Sequence, residues 1–426
     1  MKKITSLFYL LAIFAVMTFS SLTAFAIEGD GTEGTPFLIT DQGELELVTD
    51  FPESHFRLAN DIVLEGIWVP LCTHTSSGYF EGVFDGAGYT ISNLLTDGSA
   101  GGLFKNNRGT IKNLKIIIAE EGMTGSGTVT GTNYGTISNC AVKGNISSSI
   151  FEKMGGICAE NDNVVTQCKF EGNIENTYTS SASYMCIGGI CGRNSSKISN
   201  CYFIGGLSSK SSDKGGICGN NYASKASITN CYAVPTFNDG GYGIASDGDS
   251  ITKSYYNKTV SGLTSTDNGT PKSTAAMKMK LTYSNNGWDF DTIWGINKNI
   301  NNGYPYLLWE YPNLEVDNYY SVNNVKITDL SGNELDEIPD DSFYFEINVT
   351  KNDNLKNADC LIIAVYDESN VLMDIKYMSG VYYQNQTMTF GTMINKTDKK
   401  IGNIKGFVWD SVTGMTPLSN SLEITN

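Results

Sequence analysis

Across its middle third the chain repeats one hydrophobic–polar plan: a Gly-Gly-apolar start, a polar turn, then Ile-x-Asn/Gln-Cys. It reads GGLFKNNRGTIKNL from Gly101, GTVTGTNYGTISNC from Gly127, GGICAENDNVVTQC from Gly155 and GGICGRNSSKISNC from Gly188. A longer copy, GGICGNNYASKASITNC, begins at Gly215, and a worn one runs through Tyr242 to Ser254. The equivalent last positions are Leu114, Cys140, Cys168, Cys201, Cys231 and Ser254, giving steps of 26, 28, 33, 30 and 23 residues. Units of this size cannot bury their apolar faces alone, so the period predicts stacked repeats. Each carries two or three short strands, for example Gly189–Cys191, Lys197–Cys201 and Phe203–Ile204. Parallel stacking then gives a continuous core of Ile, Cys, Leu and Val.

On either side of the repeats the pattern changes. QGELELVTDFP places Leu45, Leu47 and Val48 on one face of a short helix before Pro52, FRLANDIVLEG alternates as a strand, and YTISNLL follows turns at Gly82, Gly86 and Gly88. A short helix over the open end of a strand stack acts as a cap. A second short helix, around Ser273 to Lys280, is expected to close the far end. From Asn318 come VKITDL, FYFEINVT, CLIIAVYD, VLMDIKYM, QTMTFGTM, IKGFVWDS and SLEIT, the strand pattern of a sandwich.

Lys2 and Lys3, the apolar run Leu7–Phe19 and the site Ala24-Phe25-Ala26 read as a secretory signal peptide, with the mature chain starting at Ile27. No later apolar stretch reaches the roughly 20 residues needed to span a bilayer. The domain plan is a signal peptide (1–26), an N-terminal cap and first strands (27–100), the repeats (101–256), the C-terminal end of the stack (257–315) and a sandwich (316–426). A net charge of −16 argues against nucleic acid or anionic lipid as partner. The expected location is secreted, with or without association to the cell surface.

Ten cysteines in a secreted chain normally suggest disulfides. Here, however, Cys140, Cys168, Cys201 and Cys231 share one repeat position and Cys158, Cys191 and Cys218 another, so they are expected to stack inward as small apolar side chains. Neighbouring rungs lie about 4.8 Å apart, within reach of a bridge, so the spacing leaves disulfides open. Without a C-x-x-C pair or a partnering His, no metal site is expected. Asn113, Asn139, Asn200 and Asn230 precede that repeat position and are expected to form an amide ladder, interrupted at Gln167 and Lys253. Tyr202, Tyr232 and Tyr255 follow it. They either pack between rungs or form an exposed aromatic row for a carbohydrate or protein ligand.

Catalytic chemistry finds little support. His55 and His74 are the only histidines; neither sits in H-E-x-x-H, and both read as surface or cap packing. Asp247-Gly248-Asp249 reads first as a turn, Glu160 and Asp162 share another turn, and Arg108 and Arg193 read as solvated turn residues. No cofactor is expected.

The Gly-Gly-Leu/Ile…Ile-x-Asn-Cys-Tyr consensus resembles the GLUG repeat of secreted and surface proteins. GTPFLITDQGELELV…FRLANDIVL…FEGVFDGAGYTISNL looks like the segment that precedes such repeats, and GWDFDTIWGINKNINNGYPYLLW like the end of such arrays. The resemblance covers roughly Gly29 to Trp309; Tyr is missing after Cys140 and Cys168, and the last copy lacks Cys. IKGFVWDSVTGMTPLSNS resembles the last strands of small Ig-like modules in secreted bacterial proteins. These resemblances imply an all-β protein: a right-handed parallel β-helix with an N-terminal cap, followed by an Ig-like β-sandwich. They imply adhesion, binding or display without catalysis; the alternative is an enzyme acting on polysaccharide, since that scaffold also carries lyases and glycosidases.

Overall fold

The computed structural model describes residues 27–425 except 76, 99–100, 151–152, 180–184, 223, 248–249, 265–267, 291, 298–299, 312–319, 353–357, 410–418 and 420. The signal peptide assigned to residues 1–26 lies outside them. Half of the chain is strand and 7% helix, an all-β protein with parallel sheets.

The repeats build parallel ladders. In the first, Phe56, Phe84, Ile111, Ile137, Val165, Ile198 and Ile228 pair in register from rung to rung and are fully buried. A second ladder aligns Ile62, Ile91, Ile116, Val142, Phe170, Phe203, Ala233 and Tyr256. In a third, the strands Phe104–Asn107, Thr130–Asn133, Cys158–Asn161, Cys191–Asn194 and Cys218–Asn221 lie side by side. Burying every rung on its inner face and pairing both its edges is what lets such short strands persist.

From the Ile111 rung onward a single left-handed residue turns the first ladder into the second: Asn113, Asn139, Gln167, Asn200, Asn230 and Lys253, with φ between 49° and 54°. Asparagine tolerates this conformation because its short amide bonds locally, which explains the Asn that precedes each repeated Cys. Asn139 donates to Asn113 Oδ1 (2.9 Å) and Asn113 to Asp85 Oδ1 (3.0 Å), and the run stops at Gln167. Gln167→Asn should therefore raise stability by about 0.5–1 kcal/mol. Equilibrium urea unfolding checks this, and a midpoint that stays put or falls would contradict the conformational reading.

The Gly-Gly pairs form corners rather than starting strands. A Cβ on Gly189 would collide with the Phe203 ring and the Gly216 carbonyl, and one on Gly156 with Phe170 and the Gly189 carbonyl. The motif is needed because a second-ladder aromatic fills the space a side chain would take.

At the start of the stack, the helix Gln42–Glu46 is capped by the Asp41 carboxylate, which accepts from Glu44 N at 2.9 Å. Leu45 and Val48 bury their side chains in the stack core, while Leu47 is only half-buried. At the far end Tyr255–Asn257 pairs with Thr270–Lys272, and the expected short helix follows as Thr274–Met277, with Ser273 as its N-cap and Met277 buried beside Tyr255, Tyr283 and Trp288. The chain then continues past the stack. It runs along the flank as a strap: Trp288 Nε1 donates to the Lys253 carbonyl, Trp294 Nε1 to Asn200 Oδ1 and Trp309 Nε1 to the Gln167 carbonyl.

The C-terminal unit has two four-stranded antiparallel sheets. One orders Glu334–Leu335, Tyr320–Thr328, Phe343–Lys351 and Thr387–Ile394; the other Leu372–Val381, Ala358–Asp367, Ile401–Trp409 and Leu422–Thr425. Phe343, Phe345, Ile347 and Val349 of the first share a core with Leu361, Ile363, Val365, Ile404 and Val408 of the second.

Candidate functional site

The structure places the repeat cysteines in two inward columns. Cys140, Cys168, Cys201 and Cys231 are fully buried, as are Cys158, Cys191 and Cys218, and none of these seven is in a disulfide. Each of the first four thiols donates to the carbonyl two residues before it, at 3.2–3.4 Å. Cys168 N and Cys201 N each bond the sulfur of the next rung at 3.4 Å. Ser254 continues the column where the repeat lacks Cys: its Oγ donates to the Thr252 carbonyl and accepts from Cys231 N. Burial pushes the thiols of Cys168, Cys191, Cys218 and Cys231 well above their ordinary range. Full burial in register suits packing groups.

The aromatic row is not a binding surface. Tyr202, Tyr232 and Tyr255 are at most 3% exposed. Tyr202 and Tyr232 stack 5.0 Å apart, and the strap covers them with Tyr283, Trp288, Trp294 and Tyr304. The Tyr202 hydroxyl donates to Glu310, which Lys169 pairs at 2.7 Å, and the Tyr232 hydroxyl donates to the Pro305 carbonyl at 2.6 Å. The row is apolar and flat, so the chain's own tryptophans take the place an external ligand would need.

Beneath the third ladder lies a polar column that the sequence reading passed over. Asn107, Asn133, Asn161, Asn194 and Asn221 are buried, and each amide donates to the next at 2.7–2.8 Å; Asn221 ends the run on Ser250 Oγ at 2.9 Å. The signal was present in the recurring Asn of KNN, GTN, AEN, GRN and GNN.

The outward face of that ladder is the best candidate for contact with a ligand. Asn106, Thr132, Glu160, Arg193 and Asn220 stand in register, each half-buried. Gly131 and Ala159 floor a groove of 230 Å³ whose other walls include Lys105, Lys153 and Glu160. Glu160 is held by Lys153 at 2.8 Å and Arg193 at 3.7 Å. Aromatic residues border the same ladder. The Arg108 guanidinium lies 3.6 Å from the Tyr79 ring centroid and 5.9 Å from that of Tyr134, and Arg193 lies 4.8 Å from Tyr222. Tyr134 is 43% and Tyr222 67% exposed. Arg193 and Glu160, which read as separate turn residues in sequence, pair on one face, while Arg108 sits at the turn that borders it, at the register position of Tyr134. Asp162 follows the buried Asn161 on an exposed turn.

Asp247 is exposed, while Gly248 and Asp249 lie outside the described residues. His55 is half-buried and His74 exposed. Among the described residues no group of three His, Cys, Asp or Glu side chains is placed to hold a metal ion, and no helix is long and apolar enough to cross a membrane.

No family model matches the chain. Over 101 residues it is 38% identical to a Gly-rich membrane protein of Evansella cellulosilytica, covering 21% of this chain and 11% of that protein. Over 172 residues it is 31% identical to Halomucin of Haloquadratum walsbyi, covering 34% of this chain and 2% of that protein. The chain thus spans about a tenth or less of the length of these curated relatives.

Proposed function

We propose that this is a secreted or cell-surface binding protein, non-catalytic, whose third-ladder groove takes a carbohydrate chain at the cell exterior. Its scaffold is a right-handed parallel β-helix of GLUG-type repeats followed by an Ig-like sandwich. The observation that carries the reading is the third ladder itself: a polar groove on its outward face, lined by Lys105, Asn106, Thr132, Lys153 and Glu160, and exposed Tyr134 and Tyr222, with Arg108 and Arg193 over the neighbouring rings, along its border. Tyrosine faces suit the C–H surface of a sugar ring, and the Asn, Thr, Glu and Lys groups supply hydrogen bonds around it. The names of the two partial relatives, a membrane protein and a halomucin, agree with a place at the cell surface.

A glycan array screened with the mature protein tests this. The expected result is retention on at least one polysaccharide, weakened about tenfold or more by Tyr134→Ala with Lys105→Ala and unchanged by Asp247→Asn with Asp249→Asn. Binding indifferent to the first pair would place the ligand elsewhere. If the protein shortens the polymer it binds, the polysaccharide-degrading alternative replaces this reading.

A further inference from the structure

The C-terminal unit buries a Lys, an Asp and a Tyr in mutual contact. Lys351 ends one strand of the first sheet, with Tyr320 as its cross-strand neighbour. Asp359 lies near the start of a strand in the second sheet. Lys351 and Asp359 are each 1% exposed and Tyr320 is fully buried. Lys351 Nζ lies 3.0 Å from Asp359 Oδ2 and 3.0 Å from the Tyr320 hydroxyl, which itself donates to Oδ2 at 2.6 Å. Asp359 Oδ1 is buried with no hydrogen-bond partner among the described residues. A carboxylate with one oxygen left bare in a dry core is a costly resting state, and apolar residues commonly serve a core better than an ion pair.

We propose that Lys351 and Asp359 condense into an amide bond that ties the two sheets together. A proton passes from Nζ to Oδ2 along their contact, leaving a neutral amine and a carboxylic acid. The nitrogen lone pair adds to Cγ and the carbonyl pair moves onto Oδ1. The Tyr320 hydroxyl, within reach of both atoms, takes a proton from the nitrogen while giving its own to Oδ2, which leaves as water. The pair on Oδ1 then restores the carbonyl. One C–N bond forms, one C–O bond breaks, one water is released, and no oxidant or cofactor is consumed. The product replaces two buried charges by a neutral amide, for which a bare oxygen is far less costly. Since no described residue donates to Oδ1, the addition lacks the stabilisation an oxyanion hole gives, and the bond forms slowly after folding.

Mass spectrometry of the purified full chain decides the matter. The wild type should weigh about 18 Da less than its mature sequence, and trypsin should fail to cut after Lys351, leaving one branched peptide that contains Asp359. Lys351→Ala and Asp359→Ala should each keep the full mass of their sequences. Asp359→Asn should lose about 17 Da, with ammonia leaving in place of water. Tyr320→Phe should slow the mass loss about tenfold or more in a time course after synthesis. A wild-type mass equal to the sequence overturns the proposal. So does a loss of water mapped to a peptide that excludes Lys351, as a cyclic imide at Asp359 would give. Both readouts use the unaltered protein, so they hold even if a variant fails to fold.

Discussion

Replacing Asn161 with leucine is expected to cost about 3–5 kcal/mol of unfolding free energy, read from equilibrium urea unfolding. Leucine fills nearly the same volume, so the loss is one of hydrogen bonds rather than of packing. Asn161 accepts from Asn133 and donates to Asn194 Oδ1 at 2.8 Å, and it lies 3.1 and 3.2 Å from the carbonyls of Asn163 and Lys197. Four bonds at roughly 1 kcal/mol each set the scale. The cost stays bounded because the neighbours keep some partners: Asn133 its contacts with the Gly135 and Val164 carbonyls, Asn194 its bond from Ser196 N. Asn107, at the end of the column, should be cheaper to replace, since its Oδ1 already lacks a donor. Equal losses at both positions, or one below about 1 kcal/mol at Asn161, would show that the column does not act as a linked network.

The comparison between these two asparagine columns shows what the sequence reveals and what it hides. The Asn before each repeated Cys is conspicuous because it adjoins that Cys, and an amide ladder is the natural expectation for it. In the structure that column serves mainly the backbone: Gln167 and Lys253 hold the same left-handed conformation without any amide ladder at those rungs. The continuous ladder lies in the other Asn column, whose steps of 26, 28, 33 and 27 residues are as regular as those of the cysteines but which no conspicuous neighbour marks. Pairing is set by parallel register, which the repeat spacing fixes well within a rung and poorly across loops.

The tyrosine row failed as a surface for a related reason. Position after the repeated Cys determines that Tyr202, Tyr232 and Tyr255 share a face, but not what covers it. The covering segment follows the last rung, and its tryptophans find their partners on rungs from Lys253 back to Gln167. Period-based reasoning sees contacts between neighbours in the stack and is blind to one segment folded back along it. The border of the groove was hidden for another reason: Tyr79, Arg108 and Tyr134 meet on successive rungs, but their residue types differ, so no repeated position marks them.

The cysteine columns yield the sharpest contrast between two substitutions at one site. Cys201→Ser should cost less than about 1.5 kcal/mol, because Ser254 already fills this column with a side-chain donor to the carbonyl two residues back and an acceptor for the next amide. Cys201→Asp should cost about 4 kcal/mol or more at pH 7, because it places a carboxylate in a fully buried stack among Cys168, Cys231 and Val165. The sign with pH follows from burial. Desolvation raises the introduced carboxyl in the folded state above its unfolded value of about 3.9. The folded state then holds its proton more tightly, so this group's contribution to stability falls as pH rises above the unfolded value. The Asp variant should therefore approach the Ser variant near pH 4 and fall progressively behind it toward pH 7, in urea unfolding followed at both pH values. A penalty of the same size at both would mean that the carboxyl reaches water, and that the column opens more easily than its packing indicates.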